Sequence, residues 1–463
     1  MNPNSGTRAR PLALFSITIG WGVRNFTYTQ VFETVSNFAD IGVAVSKELL
    51  PYFQDLKAQG KIAMVMELPS AEPLGFRIIR LAKKAILQAG CDISTARIKW
   101  GTRASGPFSK CFWSVLWGLQ KALFRRWQIK ALESIEVFLS RFDSFCCPHA
   151  PTIVVNCSPF DFRDNRLSRL MHLKGIPVLE IIPSWDNPST KGTVHTFADR
   201  ILAWGGNQKS ELLDFYPCLL PKQISISGMP QFDTYYQELP QEYSRVPFLE
   251  RLGINPSSKV ILYATCSERL FPSEPEVVRC LAEAVVNNRY GEGAHLLIRC
   301  HPADREVRYK DLCSSGRVTI YPHVEKEFGS FYKWIPPGNE LLVLAASLRH
   351  SDVCVNTAST MTIDAFACGK PVVNVGYDGK EALPYLKSVQ RYYDYHHYRP
   401  ILRSGAVPIA KSRQELVDMV LESLVNPGRL QEKRKDVLNS LCFHPSEGSG
   451  MFIANEIKSI ILG

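Results

Sequence analysis

A chain of 463 residues is longer than one hydrophobic core usually supports, so two domains of ordinary size are expected. Its hydrophobic share of 45% and charged share of 21% are those of a soluble globular protein, which excludes membrane-embedded, disordered and fibrous classes. A formal charge of +10 implies attraction to something anionic, whether nucleic acid, phospholipid surface or phosphorylated substrate, without choosing among them.

The N-terminus, "MNPNSGTRARPLALFSITIGWGV", imitates a signal peptide, with two arginines ahead of an apolar run. Ser16, Thr18 and Gly20 interrupt that run and no small-residue cleavage site follows, so it reads as a first buried strand. No segment approaches the roughly 18 uninterrupted apolar residues of a spanning helix, and the protein is expected to be cytoplasmic and uncleaved. Thirteen cysteines without CxxC pairs or metal-like spacing fit reduced, mostly buried thiols, and the adjacent Cys146 and Cys147 read as core residues.

After "LALFSITIG" comes the Gly-bearing "WGVRNFTYTQ", read as a polar turn, and a helix-like "VFETVSNFA". "IGVAVS", "KIAMVMEL", "TIVVNCS", "IPVLEIIPS", "RILAWG" and "ISISG" follow as strands, alternating with helical patterns in the manner of a parallel sheet flanked by helices. The Pro-dotted stretch from Gly228 to Gly253 is a candidate linker. A second series then starts afresh with "KVILYATC", "AHLLIRCHP", "VTIYPH", "SDVCVNT" and "KPVVNVG". The fold expected is α/β, with two Rossmann-type doubly wound domains facing across a cleft: 1–240 on the acceptor side, 241–445 on the donor side, and a helix in 446–463 returning to the first. No GxGxxG follows a strand and no GxxxxGK[ST] occurs, so dinucleotide and P-loop readings lose support.

One stretch breaks the rhythm. Residues 106–134 set Phe112, Trp113, Leu116, Leu119, Leu123, Phe124 and Trp127 among Lys121, Arg125, Arg126 and Lys130. A basic, Trp-rich helix suits contact with an anionic membrane surface, and equally a core helix whose long cations reach out to water.

The chemistry concentrates in "CVNTASTMTIDAFACGKPVVNVGYDG", where Thr357, Ser359 and Thr360 fall between a strand and a helix. Amides opening a helix bind an anion readily, though the same hydroxyls also serve as plain caps. Asp364 lies about one turn on, where a carboxylate would accept hydrogen bonds from a sugar diol or else face solvent.

"SDVCVNTASTMTIDAFACGKPVVNVGYDG" resembles the nucleotide-sugar-binding half of GT-B glycosyltransferases, and also CDP-glycerol glycerophosphotransferases and UDP-N-acetylglucosamine 2-epimerases. The resemblance implies Ser359 and Thr360 as diphosphate contacts and Asp364 as a ribose contact. "HLLIRCHPAD" and "KVILYATCSERLF" look like the glycerophosphotransferase pattern and that of some sialyltransferases, which implies that His301 touches the donor phosphates, with Thr265, Ser267 and Arg269 at a neighbouring strand end. "SWDNPSTKG" looks like a motif of surface-carbohydrate proteins of the same superfamily. The resemblance spans roughly 176–380 and is best at 351–379.

Within that motif Asp186 is a candidate general base given a raised pKa, or an Asx-turn residue, and Lys191 a phosphate contact or a solvated lysine. Gly20 and Gly22 permit close backbone approach to an acceptor that Arg24 would meet. His149, His172 and His195 are spare candidates for the base, and no metal cluster is visible.

The expected function is transfer of a sugar or polyol phosphate from a nucleotide sugar or CDP-polyol, a substrate rather than a cofactor, to a cell-surface polysaccharide or lipid-linked acceptor. A metal is not required if helix and side chains carry the leaving group's charge. Rival readings are an epimerase-like reaction on the nucleotide sugar and a catalytically silent membrane-surface scaffold. Nucleic acid ranks last because the cations look dispersed.

Overall fold

The computed structural model describes residues 10–103, 106–123, 126–145, 147–216, 218–321 and 335–463. Cys146, Phe124 and Arg125, singled out above, lie outside them. Cys147 is buried, as a core thiol should be.

Two parallel sheets form. The first contains β1 (Leu12–Ile17), β2 (Asp40–Val45), β3 (Met64–Glu67), β4 (Ile153–Asn156), β5 (Val178–Ile181), β6 (Arg200–Ala203) and β7 (Ile224–Ile226), in the order β3-β2-β1-β4-β5-β6-β7. The second contains β8 (Val260–Ala264), β9 (His295–Arg299), β10 (Val318–Ile320), β11 (Val353–Asn356), β12 (Val372–Val375) and β13 (Ile409–Ala410), in the order β10-β9-β8-β11-β12-β13. Both are doubly wound, because helices cover both faces; strands buried on both sides need apolar centres, and β4, β8, β9 and β11 are buried at every position, with Asn156, His295, Arg299 and Asn356 confined to strand ends. In each sheet the order reverses between the first strand and the fourth, and the crevice at that reversal is where open α/β sheets take ligands.

The stretch 228–253 is no loose tether. Met229, Phe232 and Tyr235 are buried against Trp204 and the helices of the second domain. The chain crosses back at Cys442–Gly448: Phe443 N–H donates to Trp204 O at 2.8 Å, and Asp233 accepts from the amides of Ser449 and Gly450, both at 2.8 Å. Those bonds start the final helix, Ser449–Leu462, whose Ile453, Ala454 and Ile457 join the core of the first sheet. The two crossings touch. Gly228 has φ +66°, and a Cβ there would stand 2.1 Å from Phe443 O.

Between β3 and β4 lies a helical excursion: Leu74–Gly90, Ser94–Arg103, Pro107–Leu123 and Arg126–Leu139. Its inner side, with Leu87, Ile93, Trp117 and Ile129, packs on the first sheet.

Candidate functional site

Tyr263 of β8 pairs with Val355 of β11, and Ala264 pairs with Arg299 of β9. The segments bearing Thr265, Thr357 and His301 therefore leave three neighbouring strands, about 4.8 Å apart, at the second sheet's C-terminal edge. Thr357 is buried, and its Oγ1 has no hydrogen-bond partner among the described residues. An unpaired buried hydroxyl costs about 1–3 kcal/mol, which a ligand oxygen would recover. Ala358 follows at φ +37°, a strained turn. Ser359 Oγ accepts from Met361 N at 3.3 Å, so it is the partial cap. Thr360 caps nothing; its Oγ1 instead accepts from the indole of Trp185, in the first domain, at 3.1 Å. The helix itself, Met361–Ala367, has only seven residues, so hydroxyls and turn amides, not a long helix dipole, make this notch polar.

Thr265 is spoken for. Its Oγ1 donates to Asp304 Oδ2 at 2.7 Å and accepts from the amide of His301 at 2.9 Å, which ties the loops after β8 and β9 together. His301 is half-buried, and its Nδ1 accepts from Ala303 N at 2.9 Å. The neutral ring therefore carries its proton on Nε2, a donor suited to a phosphate oxygen. The Ser267–Arg269 turn is braced by Glu274, which accepts twice from the Cys266 amide, at 3.0 and 2.9 Å; Arg269 is exposed beside it.

Across the cleft, Asp186 follows β5. It accepts from Ser184 Oγ at 2.6 Å, Thr190 Oγ1 at 2.9 Å and Asn187 Nδ2 at 3.2 Å, and caps no backbone amide, so it is not an Asx-turn residue. The raised pKa expected of a base is absent. Burial pushes the carboxyl up, but His397, the two hydroxyls and Lys191 outweigh it and hold Asp186 below its ordinary range. His397 comes from the second domain. Its Nδ1 lies 3.1 Å from Ser189 Oγ and its ring stands edge-on to Trp185 at 5.0 Å; burial lowers its pKa against the pull of Asp186. Sequence reasoning passed over this residue, whose one visible signal is the pair "HH" in a Tyr-rich run. Lys191 is exposed.

Four expectations need correcting. "WGVRNF" is no polar loop but a helical turn at Gly20–Gly22 running into a π-turn at Val23–Thr27. Gly22 faces its own strand, where a Cβ would meet Ile17 Cγ2 at 2.7 Å, so the close approach is internal and leaves no room for an acceptor. Arg24 is buried, bonds Gln231 Oε1, and stacks on Trp21 at 4.2 Å. Asp364 does not lie on an open face. It is buried at the same seam, where Tyr235 donates to its Oδ1 at 2.8 Å, and burial raises its pKa to about 6 against Tyr235, Arg24 and Arg299. This cluster joins the domains beneath the notch.

The spare histidines stand at the wrong edge. His149 precedes β4 and is exposed; His172 stacks on Phe197 at 4.3 Å. His195, ahead of β6, is buried 2.5 Å from Glu180, and burial pushes its pKa down to about 3. All lie on the side of the sheet away from the cleft. Among the described residues, no group of three or more His, Cys, Asp or Glu is placed to hold a metal ion.

No protein-family model and no curated protein matches the sequence. Solved structures do. A Listeria monocytogenes protein given provisionally as a UDP-N-acetylglucosamine 2-epimerase superposes with a TM-score of 0.55 at 14% identity, over 98% of this chain and 96% of its own. The S. aureus MnaA–UDP structure gives 0.52 at 10%, over 97% and 96%, and a glycosyltransferase from Rickettsia africae gives 0.50 at 10%, over 98% and 99%. The chain has the GT-B fold. In a GT-B fold the cleft between the two sheets' C-terminal edges is the natural site, and Trp185–Thr360 and Ser189–His397 span that cleft here.

Proposed function

We propose that the protein binds a nucleotide-activated sugar or polyol phosphate against its second domain and transfers the activated group to a polysaccharide or lipid-linked acceptor held by the first. The observation that carries this reading is the unpartnered Thr357 hydroxyl at the second sheet's reversal point, set in a notch that touches the first domain through Thr360. Thr357, Ser359 and the Nε2 proton of His301 would hold the diphosphate, and their preorganised donors would stabilise the charge that develops on the leaving group. Asp186, ionised at neutral pH, would take the acceptor's proton, with an acceptor hydroxyl replacing Ser184 or Thr190 as its partner. Arg24 and Asp364 would act by setting the angle between the domains.

A thermal-shift and calorimetric screen of UDP-, CDP-, GDP- and dTDP-linked compounds tests this, since a bound donor raises the melting temperature by mass action. Thr357→Val separates the roles. Removing an unpaired buried hydroxyl should raise the melting temperature of the free protein by about 2 °C and weaken donor binding about tenfold. Unchanged affinity in that variant removes Thr357 from the site, and a screen with no binder removes the reading. Product formed from the donor without any acceptor would instead signal epimerisation.

A further inference from the structure

The helical excursion between β3 and β4 has a charge balance unlike the rest of the chain. Residues 74–142 contain 13 Lys and Arg against 3 Asp and Glu, leaving 41 of each elsewhere, so this segment accounts for the protein's entire excess of +10. The cations are concentrated, not dispersed. Its three acids are withdrawn: Glu133 and Glu136 are buried, and Asp92 bonds the Trp117 indole at 3.2 Å and Lys121 Nζ at 2.9 Å. Arg77, Arg97, Lys121, Lys130 and Arg141 are exposed.

The same segment holds 13 of the 24 exposed large apolar side chains among the described residues. They form rows at helical spacing: Leu74, Ile78 and Leu81 on one helix, and Phe112, Val115 and Leu119 on another. Phe108 is 91% exposed and Trp127 66%, so the segment is not a core helix with cations reaching outward. The inner side is already packed on the sheet, so these rows form a second, outward apolar face. An apolar face of this kind marks an interaction surface.

We propose that this excursion docks the protein onto an anionic bilayer surface, with its Leu, Phe and Trp side chains at headgroup depth and its cations against lipid phosphates. Charge complementarity selects this occupant. Two copies of so basic a face would repel each other, and a nucleic acid would pair with the cations but leave the aliphatic rows uncovered. Trp and Phe interleaved with Lys and Arg are the composition of helices that lie in the membrane plane, and no helix among the described residues is long and apolar enough to cross it. The excursion also reaches the cleft: Ser94 Oγ donates to Asp394 O at 2.8 Å, and Thr95 Oγ1 accepts from the amide of His396, next to His397, at 2.8 Å. A docked excursion therefore holds the cleft close to the lipid surface. The inference is independent of the transferase reading.

Co-sedimentation of the full chain with neutral phosphatidylcholine vesicles, and with vesicles in which about a third of the lipid is phosphatidylglycerol, tests it. Partition into the anionic vesicles should be at least about tenfold stronger and should fall as salt is raised. Leu119→Glu with Trp127→Glu should reduce it about tenfold or more, and so should Arg77→Glu with Lys130→Glu, with the melting temperature unchanged. Should the apolar variant melt early, the charge variant, confined to exposed side chains, decides. Absent or equal partition into the two vesicle types overturns the proposal. So does a dimer in light scattering that these variants dissolve, or duplex RNA that displaces the protein from vesicles.

Discussion

The two sheets share a strand order and differ in what stands where it reverses. In the first, Thr18 donates to Oδ2 of the buried Asp164, whose pKa is raised by burial and by Asp161, while Asp164 Oδ1 and Ser16 Oγ have no hydrogen-bond partner among the described residues. In the second, Thr357 keeps an unpaired hydroxyl beside a strained turn. Topology alone marks both edges as ligand sites. Both keep an unpaired buried polar atom, and its chemistry separates them: a carboxyl oxygen at the first suits a donor, whereas a hydroxyl beside turn amides at the second suits an anion. The first domain's contribution to the cleft then lies further along its edge, at Asp186.

That contrast can be broken most directly at Asp186. Asp186→Asn should lower the transfer rate by about a thousandfold while donor affinity stays within a few-fold of wild type. Loss of donor affinity instead would mean that the domains do not divide the work. Gly228→Ala comes next. Positive φ and the 2.1 Å approach to Phe443 O should cost about 3 kcal/mol or more, seen in calorimetry as early melting of both domains, since both crossings meet there. Melting of one domain alone would show the crossings to be independent. The smallest effect per pH unit concerns Glu180, which burial pushes from 4.5 to about 8. With the folded pKa above the unfolded one, its stabilisation is complete below about 4.5 and is lost as pH rises to about 8. Each pH unit in that window removes at most about 1.4 kcal/mol. Glu180→Gln should flatten the fall in the first domain's melting temperature between pH 5 and 8; an unchanged slope assigns the fall to other groups.

The strands were legible because chains buried on both faces leave apolar runs with no alternation, as in β8 and β9. Two-residue β13 leaves no such run. Sites were less legible where a residue's partner lies far along the chain. Arg24 meets Gln231 and His397 meets Ser189, about 207 residues apart in each pair, and nothing local in "GVRNF" or "YHHY" announces either contact. Asp364 read as a ribose contact or an exposed helical acid, and neither reading shows that Tyr235, 129 residues upstream, covers it. The notch at 357–360 was legible because a strand end, a hydroxyl cluster and a helix start are all local features.

Two passages of chain run between the lobes, one at Gly228 and one at Phe443, and they lie against each other. Two tethers set side by side allow rotation about the line through them and resist both separation and shear. The lobes should therefore rock about that corner as a book opens on its spine. The Arg24–Asp364 seam, bonded to Gln231 close to the spine, would move least.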